Sequence, residues 1–198
     1  YALAVARSNN HVLQQHLFDL LSQVESTPLT PSAQLSILRA EALLIIRNNN
    51  LNTDILENQW LPIFPSKDQF INEELAALFS KTQHSIWVEK IMTLWSEIDE
   101  EHLKILISDS LAERSEMYGP AVKAMRKRRP RSYKIALTSA LSHYKVGWNT
   151  TLRNEYFNGF NEFWDREGGN SYRGYLLKIL SNALDHVPKA EQSRFEKM

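Results

Sequence analysis

The chain's six histidines and 23 acidic residues could supply metal binding or general acid–base chemistry, but their spacing does not assemble either. Histidines that share a metal on one helix face stand about three or four positions apart. His11 and His16 stand five apart, and His84, His102, His143 and His186 are more widely scattered, with no HExxH motif. They read as surface or packing side chains. The acidic clusters Glu73/Glu74, Glu97/Asp99/Glu100/Glu101 and Asp165/Glu167 read as solvated helix faces or as partners of helix N-terminal dipoles. There is no cysteine, which removes disulfides, thiolate catalysis, cysteine-held metals and covalent haem attachment from this chain. Gly168-Gly169-Asn170 could offer backbone N–H groups to an anion, but no strand leads into it and a helix-exit turn is the simpler reading. No catalytic, cofactor-binding or metal-ligating residue is therefore assigned. The chain by itself is expected to be no enzyme and to carry no cofactor.

One stretch departs from this even distribution. Lys123, Arg126, Lys127, Arg128, Arg129, Arg131 and Lys134 put seven basic residues into twelve positions, a candidate interaction patch. Such a run can grip phosphates, so a nucleic-acid-binding role is the alternative reading. Only Tyr133 offers an aromatic for base stacking within it, which favours a solvated segment or an acidic protein partner. The aromatics Tyr118, Tyr144, Trp148, Tyr156, Phe157, Phe160, Phe163, Trp164, Tyr172 and Tyr175 would suit a ligand platform, but their helical spacing predicts core packing.

The elements that carry these residues are helices throughout. At 198 residues the chain is long enough for one domain with a substantial core, and its 23 basic and 23 acidic residues cancel. Apolar runs such as Ala42–Ile46 are far too short for a bilayer span. Val12, Leu13, Leu17, Leu20, Leu21 and Val24 are expected on one face of a helix over 11–24. Thr30-Pro31 reads as an N-cap with proline at the first helical position. The helix that follows carries Leu35, Leu38, Ala42, Ile45 and Ile46 on one side and Ile37 and Leu44 on another, which predicts packing on two sides. Asn48–Asn50 suit a helix exit of left-handed geometry. A short helix over 51–61 should stop at Pro62, and Ser66/Gln69 has capping-box spacing.

Trp87, Ile91, Leu94, Trp95 and Ile98 form a clean amphipathic pattern, and Leu103, Leu106, Ile107 and Leu111 extend it. Gly119-Pro120 should break and restart the chain. A helix over 133–144 follows, then a Gly147 exit, an Asn149 cap and a stripe of Leu152, Tyr156, Phe160 and Phe163. Asn170 should cap a helix carrying Tyr172, Tyr175, Leu176, Ile179, Leu180 and Ala183. Pro188 should open a last helix without a hydrophobic finish. The total is about eleven or twelve helices with short connections. Pairs recur roughly every 35–45 residues, the period of HEAT-type repeats. The expected fold is all-α: one helical-repeat domain over 1–198, an irregular HEAT/armadillo-like α-solenoid of antiparallel pairs. Because Tyr1 lies within an apparent helix, the chain reads as a piece of a larger polypeptide.

Three stretches together carry a family resemblance: IFPSKDQFINEELAALF (Ile63 to Phe79), SLAERSEMYGPAVKAM (Ser110 to Met125), and SHYKVGWNTTLRNEYFNGFN followed by GGNSYRGYLLKI (Ser142 to Ile179). In order and wording the chain from Leu35 to Met198 resembles the helical-repeat region of large exported bacterial proteins. Those proteins join a sugar-dehydrogenase-like β-propeller, a HEAT-like segment and a C-terminal haem-binding cytochrome c domain. The resemblance implies a non-catalytic spacer that holds or docks redox domains, in the periplasm or at the cell envelope. Its partners would be neighbouring domains of the same polypeptide or another protein, without membrane insertion. No catalytic residue carries over, and the basic run at Arg126 to Arg131 departs from the family pattern.

Overall fold

A computed structural model describes residues 2–98, 116–117, 119–120, 133–164 and 169–195. Helix is the regular structure throughout, and the described residues contain no strand. Chain contacts separate two compact units, Tyr1–Trp87 and Val88–Met198.

The first unit contains α1 (Ala2–Arg7), α2 (His11–Ser22), α3 (Pro31–Arg47), α4 (Ile55–Trp60), a 3-10 turn (Leu61–Ile63) and α5 (Gln69–Thr82). Local chemistry sets most of their ends. The Asn10 side chain accepts from the Leu13 N–H at 3.1 Å to start α2. Thr30 and Pro31 start α3 as expected. α3 packs against both α1 and α5, while α2 packs against α1, α3 and α4. The residues α3 buries, Gln34, Leu38, Ala40, Glu41 and Leu44, include only Leu38 and Leu44 of those expected on its two sides. Leu38, Leu44, Leu56, Trp60, Ile71, Leu75 and Phe79 form the buried core here. Trp87 closes it, stacked on Phe79 at 3.9 Å with the Phe64 edge 4.9 Å away. Each such large side chain contributes roughly 1.5–3 kcal/mol by leaving water.

Several local expectations change. α2 buries Gln14, Leu17 and Phe18, so that only Leu17 of the expected face is buried, and Val12, Leu13 and Leu20 are exposed. The helix has apolar residues around much of its circumference, so periodicity alone did not select the inward side. Ile46 is exposed as well. Asn48 ends α3 in an extended conformation, its Oδ1 accepting from the Asn50 N–H, and does not use left-handed geometry. Pro62 sits inside the 3-10 turn that prolongs α4. At the next helix start the reciprocal partner of Ser66 is Asn72, not Gln69. Asn72 accepts from the Ser66 N–H at 2.7 Å and donates to its carbonyl at 2.8 Å, while Asp68 is the cap.

α6 (Ile86–Glu97) begins at the end of the first unit and continues into the second. The second unit also holds α7 (Tyr133–Leu141), α8 (Thr150–Gly159), α9 (Asn161–Trp164), α10 (Gly169–Leu184) and α11 (Lys189–Phe195). Gly147 has φ 84°, a left-handed turn open to glycine, and the Asn149 side chain then accepts from the Leu152 N–H at 2.9 Å. Both features match expectation. The stripe on 152–163 is divided by the break at Gly159–Phe160 into α8 and α9, yet Tyr156, Phe160 and Phe163 remain buried. α10 already begins at Gly169, so Asn170 lies in its first turn and is not its cap, and Tyr175 is exposed. The last helix does have a hydrophobic finish. Phe195 is buried and stacks on Phe157 at 4.3 Å. The segment over 103–111 lies outside the described residues.

Candidate functional site

Lys123, Arg126, Lys127, Arg128, Arg129 and Arg131 lie outside the described residues. Lys134, the last member of the run, is placed by the first turn of α7 and points inward. It is 7% exposed, and its ammonium donates to Glu162 Oε2 at 2.9 Å while sitting 4.1 Å from the centroid of the Trp95 ring. That environment gives Lys134 a packing and pairing role, and it is not presented as part of an open basic surface.

Around it the second unit carries a closed polar network. Trp95 Nε1–H donates to Thr138 Oγ1 at 2.8 Å, and Thr138 Oγ1–H donates to the Lys134 carbonyl at 2.7 Å. Tyr156 O–H donates to the Thr138 carbonyl at 2.9 Å. Burial holds the Tyr144 and Tyr156 phenols well above their ordinary range, so both stay neutral donors. The aromatic side chains pack on one another: Tyr156 meets Trp148, Phe157 and Phe160 edge-on at 5.2, 5.3 and 5.4 Å. The cavity beside them, lined by Ser142, Tyr144, Arg153, Tyr156 and His186 among others, measures about 10 Å³. This is room for about one water, not a ligand platform.

In the first unit His84 sits in the α5–α6 connection and reaches back to α4. Its Nδ1 is 3.0 Å from Glu57 Oε2 and its Nε2 is 3.9 Å from Asp54 Oδ1, with the ring edge against Phe79. A histidine oriented by carboxylates is one part of many hydrolytic sites, but the described contacts bring no nucleophile to it. Among the described residues no group of three histidine or acidic side chains could hold a metal. Nor is any helix among them long and apolar enough to cross a membrane.

The chemically unusual group is Glu41, which sequence reasoning passed over. It lies on the buried face of α3 with Gln34, Leu38 and Leu44, and is fully buried. Trp60 Nε1–H donates to Glu41 Oε2 at 2.8 Å, and Glu41 Oε1 has no hydrogen-bond partner among the described residues. Burial pushes the carboxyl up to about 8, against the opposing pull of the Trp60 hydrogen bond. Gln59 also ties down the α2–α3 connection, its Nε2 donating to the carbonyls of Leu21 at 2.9 Å and Val24 at 3.2 Å. Beside this connection runs an open groove of about 380 Å³, lined by Val24, Glu25, Thr27, Ile55, Asn58 and Pro62 among others. A signal for Glu41 does exist in the sequence. Residues 34, 38, 41, 44 and 48 share helical spacing, and a carboxylate among them must either be solvated or neutralised.

No protein-family model matches the chain, and no curated protein or solved structure is detectably similar to it.

Proposed function

We propose that the chain is a non-catalytic helical-repeat scaffold, an α-solenoid segment that spaces or docks redox domains of a larger exported protein. The observation that supports this reading is the contact of α3 with both α1 and α5 while α2 packs against α1, α3 and α4. Alternate helices in one row, with the intervening helices against them, is how HEAT-type pairs share a continuous core. The periplasmic or envelope setting, the propeller and cytochrome neighbours, and the absence of catalysis rest on the resemblance at Ile63 to Phe79, Ser110 to Met125 and Ser142 to Ile179. The intact mass and sequence of the native gene product test it. A longer polypeptide with a propeller and a CxxCH-bearing domain is expected, and a free-standing chain without them would overturn the redox role.

The density of positive charge between Lys123 and Arg131 supports a second reading, nucleic-acid binding. Affinity should then fall steeply with salt and vanish when Arg126, Arg128 and Arg131 are neutralised together. Salt-independent or absent binding would remove this reading.

A further inference from the structure

The Gln59 amide decides what Glu41 can do. Its Nε2 is occupied by two backbone carbonyls, those of Leu21 and Val24. Rotating the amide would press Oε1 against both carbonyl oxygens, so the orientation is fixed. What Gln59 has left for the carboxyl within its reach is an oxygen. That oxygen and Glu41 Oε1 are both buried and, among the described residues, both lack a donor, while Glu41 Oε2 already accepts from Trp60. Two orphaned acceptors in one buried cluster are costly, and one proton on Glu41 Oε1 satisfies both.

We propose that Glu41 keeps its proton at neutral pH and donates it from Oε1 to Gln59 Oε1, forming a pH-sensitive latch that clasps α4 and the α2–α3 connection to α3. This inference is independent of the scaffold reading. The latch is a continuous chain. Trp60 N–H donates to Glu41, Glu41 O–H donates to Gln59, and Gln59 N–H donates to Leu21 and Val24. Two more bonds hold the same connection: Ser26 Oγ–H to the Gln59 carbonyl at 2.5 Å, and Gln34 Nε2–H to the Ser26 carbonyl at 2.8 Å.

Charges on the elements packed around α3 do not replace the proton. These elements carry Arg7 on α1, His11, His16 and Asp19 on α2, Glu57 on α4, and Glu73, Glu74 and Lys81 on α5. Glu57 is paired with His84, and Glu74 with Arg39. The influences on Glu41 are burial first, then Trp60 and Gln59, with no charged group among them. Because Gln59 presents oxygen, its own contact favours the neutral acid and adds to the effect of burial.

The folded carboxyl, near 8, lies above its unfolded value of 4.5. Glu41 therefore contributes most stability below about pH 4.5 and loses that contribution as pH rises to about 8, beyond which its effect is flat. On ionisation Oε1 ceases to be a donor and meets the Gln59 oxygen as a second acceptor, and the clasp on 21–24 opens.

The test compares wild type with Glu41→Gln, which offers an N–H to Gln59 and an oxygen to Trp60 but does not titrate. Urea unfolding constants are measured from pH 5 to 9. The ratio of wild type to variant should rise about ten-fold per pH unit up to about pH 8, then level off. A flat ratio overturns the proposal. In parallel, infrared spectra of the wild-type protein at pH 7 should contain a protonated-carboxyl C=O band that is missing from the variant. A wild-type protein without that band, or a variant that retains it, overturns the proposal. Glu41→Met serves for the spectral comparison if Glu41→Gln does not fold.

Discussion

Substituting alanine for Gly159 tests the packing at the centre of the second unit. A Cβ at this position would lie 2.0 Å from Trp95 Cη2, 2.6 Å from Cζ2 and 3.2 Å from Cζ3. The indole cannot swing away freely. Its Nε1 is tied to Thr138 Oγ1, and the Lys134 ammonium sits over the ring. Overpacking of a filled core costs about 1–3 kcal/mol, and three sub-van-der-Waals contacts place this case at the upper end. Replacing glycine within a helix returns about 1 kcal/mol of propensity. The net expectation is a loss of about 2 kcal/mol, or a urea midpoint lowered by about 1 M at a slope of about 2 kcal/mol/M. The assay is urea denaturation followed by near-ultraviolet circular dichroism. In a Trp95→Leu background the same change should be neutral or stabilising, because the obstructing ring is gone. A Gly159→Ala protein as stable as wild type, or more stable, would show that Trp95 does not lie against this helix.

Other expectations follow from the same contacts. Trp95→Ala and Phe160→Ala should each cost about 3–5 kcal/mol, and unchanged denaturation midpoints would mean that these faces are not core. Asn72→Ala removes both halves of the clasp on Ser66 and should cost about 1–3 kcal/mol by urea denaturation, whereas a neutral result would dismiss the clasp. Arg128→Ala should leave stability within about 0.5 kcal/mol, and a large loss would make the basic run structural.

What the sequence revealed was largely local. Thr30-Pro31, Gly147 and Asn149 act through their own backbone geometry and nearest N–H groups, so their roles were legible without the fold. The direction of a helix is not local. α2 carries Val12, Leu13, Leu17, Phe18, Leu20 and Leu21, and only contact with α1, α3 and α4 determines that Leu17 and Phe18 turn inward. Position along the chain groups Lys134 with its charged neighbours. Helical spacing instead aligns it with Thr138 and Leu141, whose face is buried. Asn72 and Gln59 were invisible for a related reason. Their value lies in backbone groups that the chain brings to them, at Ser66, Leu21 and Val24.

One polar network in each unit differs from the other in a respect that matters. In the second unit Trp95, Thr138, Lys134, Glu162 and Tyr156 are joined by donors and acceptors that match as they stand. In the first unit Glu41 and Gln59 match only when a proton is added. A satisfied network is insensitive to mild alkali, especially where burial raises its phenols well above their ordinary range. An unsatisfied one transmits the loss of a single proton to every element it joins. Raising pH through about 8 should therefore loosen the first unit before the second. Amide exchange resolved by residue, with each rate divided by its unstructured value at the same pH, separates the two outcomes. Protection should fall first around Leu21, Val24 and Trp60 while that of Leu137 to Leu141 persists. Simultaneous loss in both units, or earlier loss in the second, would refute the assignment of the alkaline weak point to Glu41.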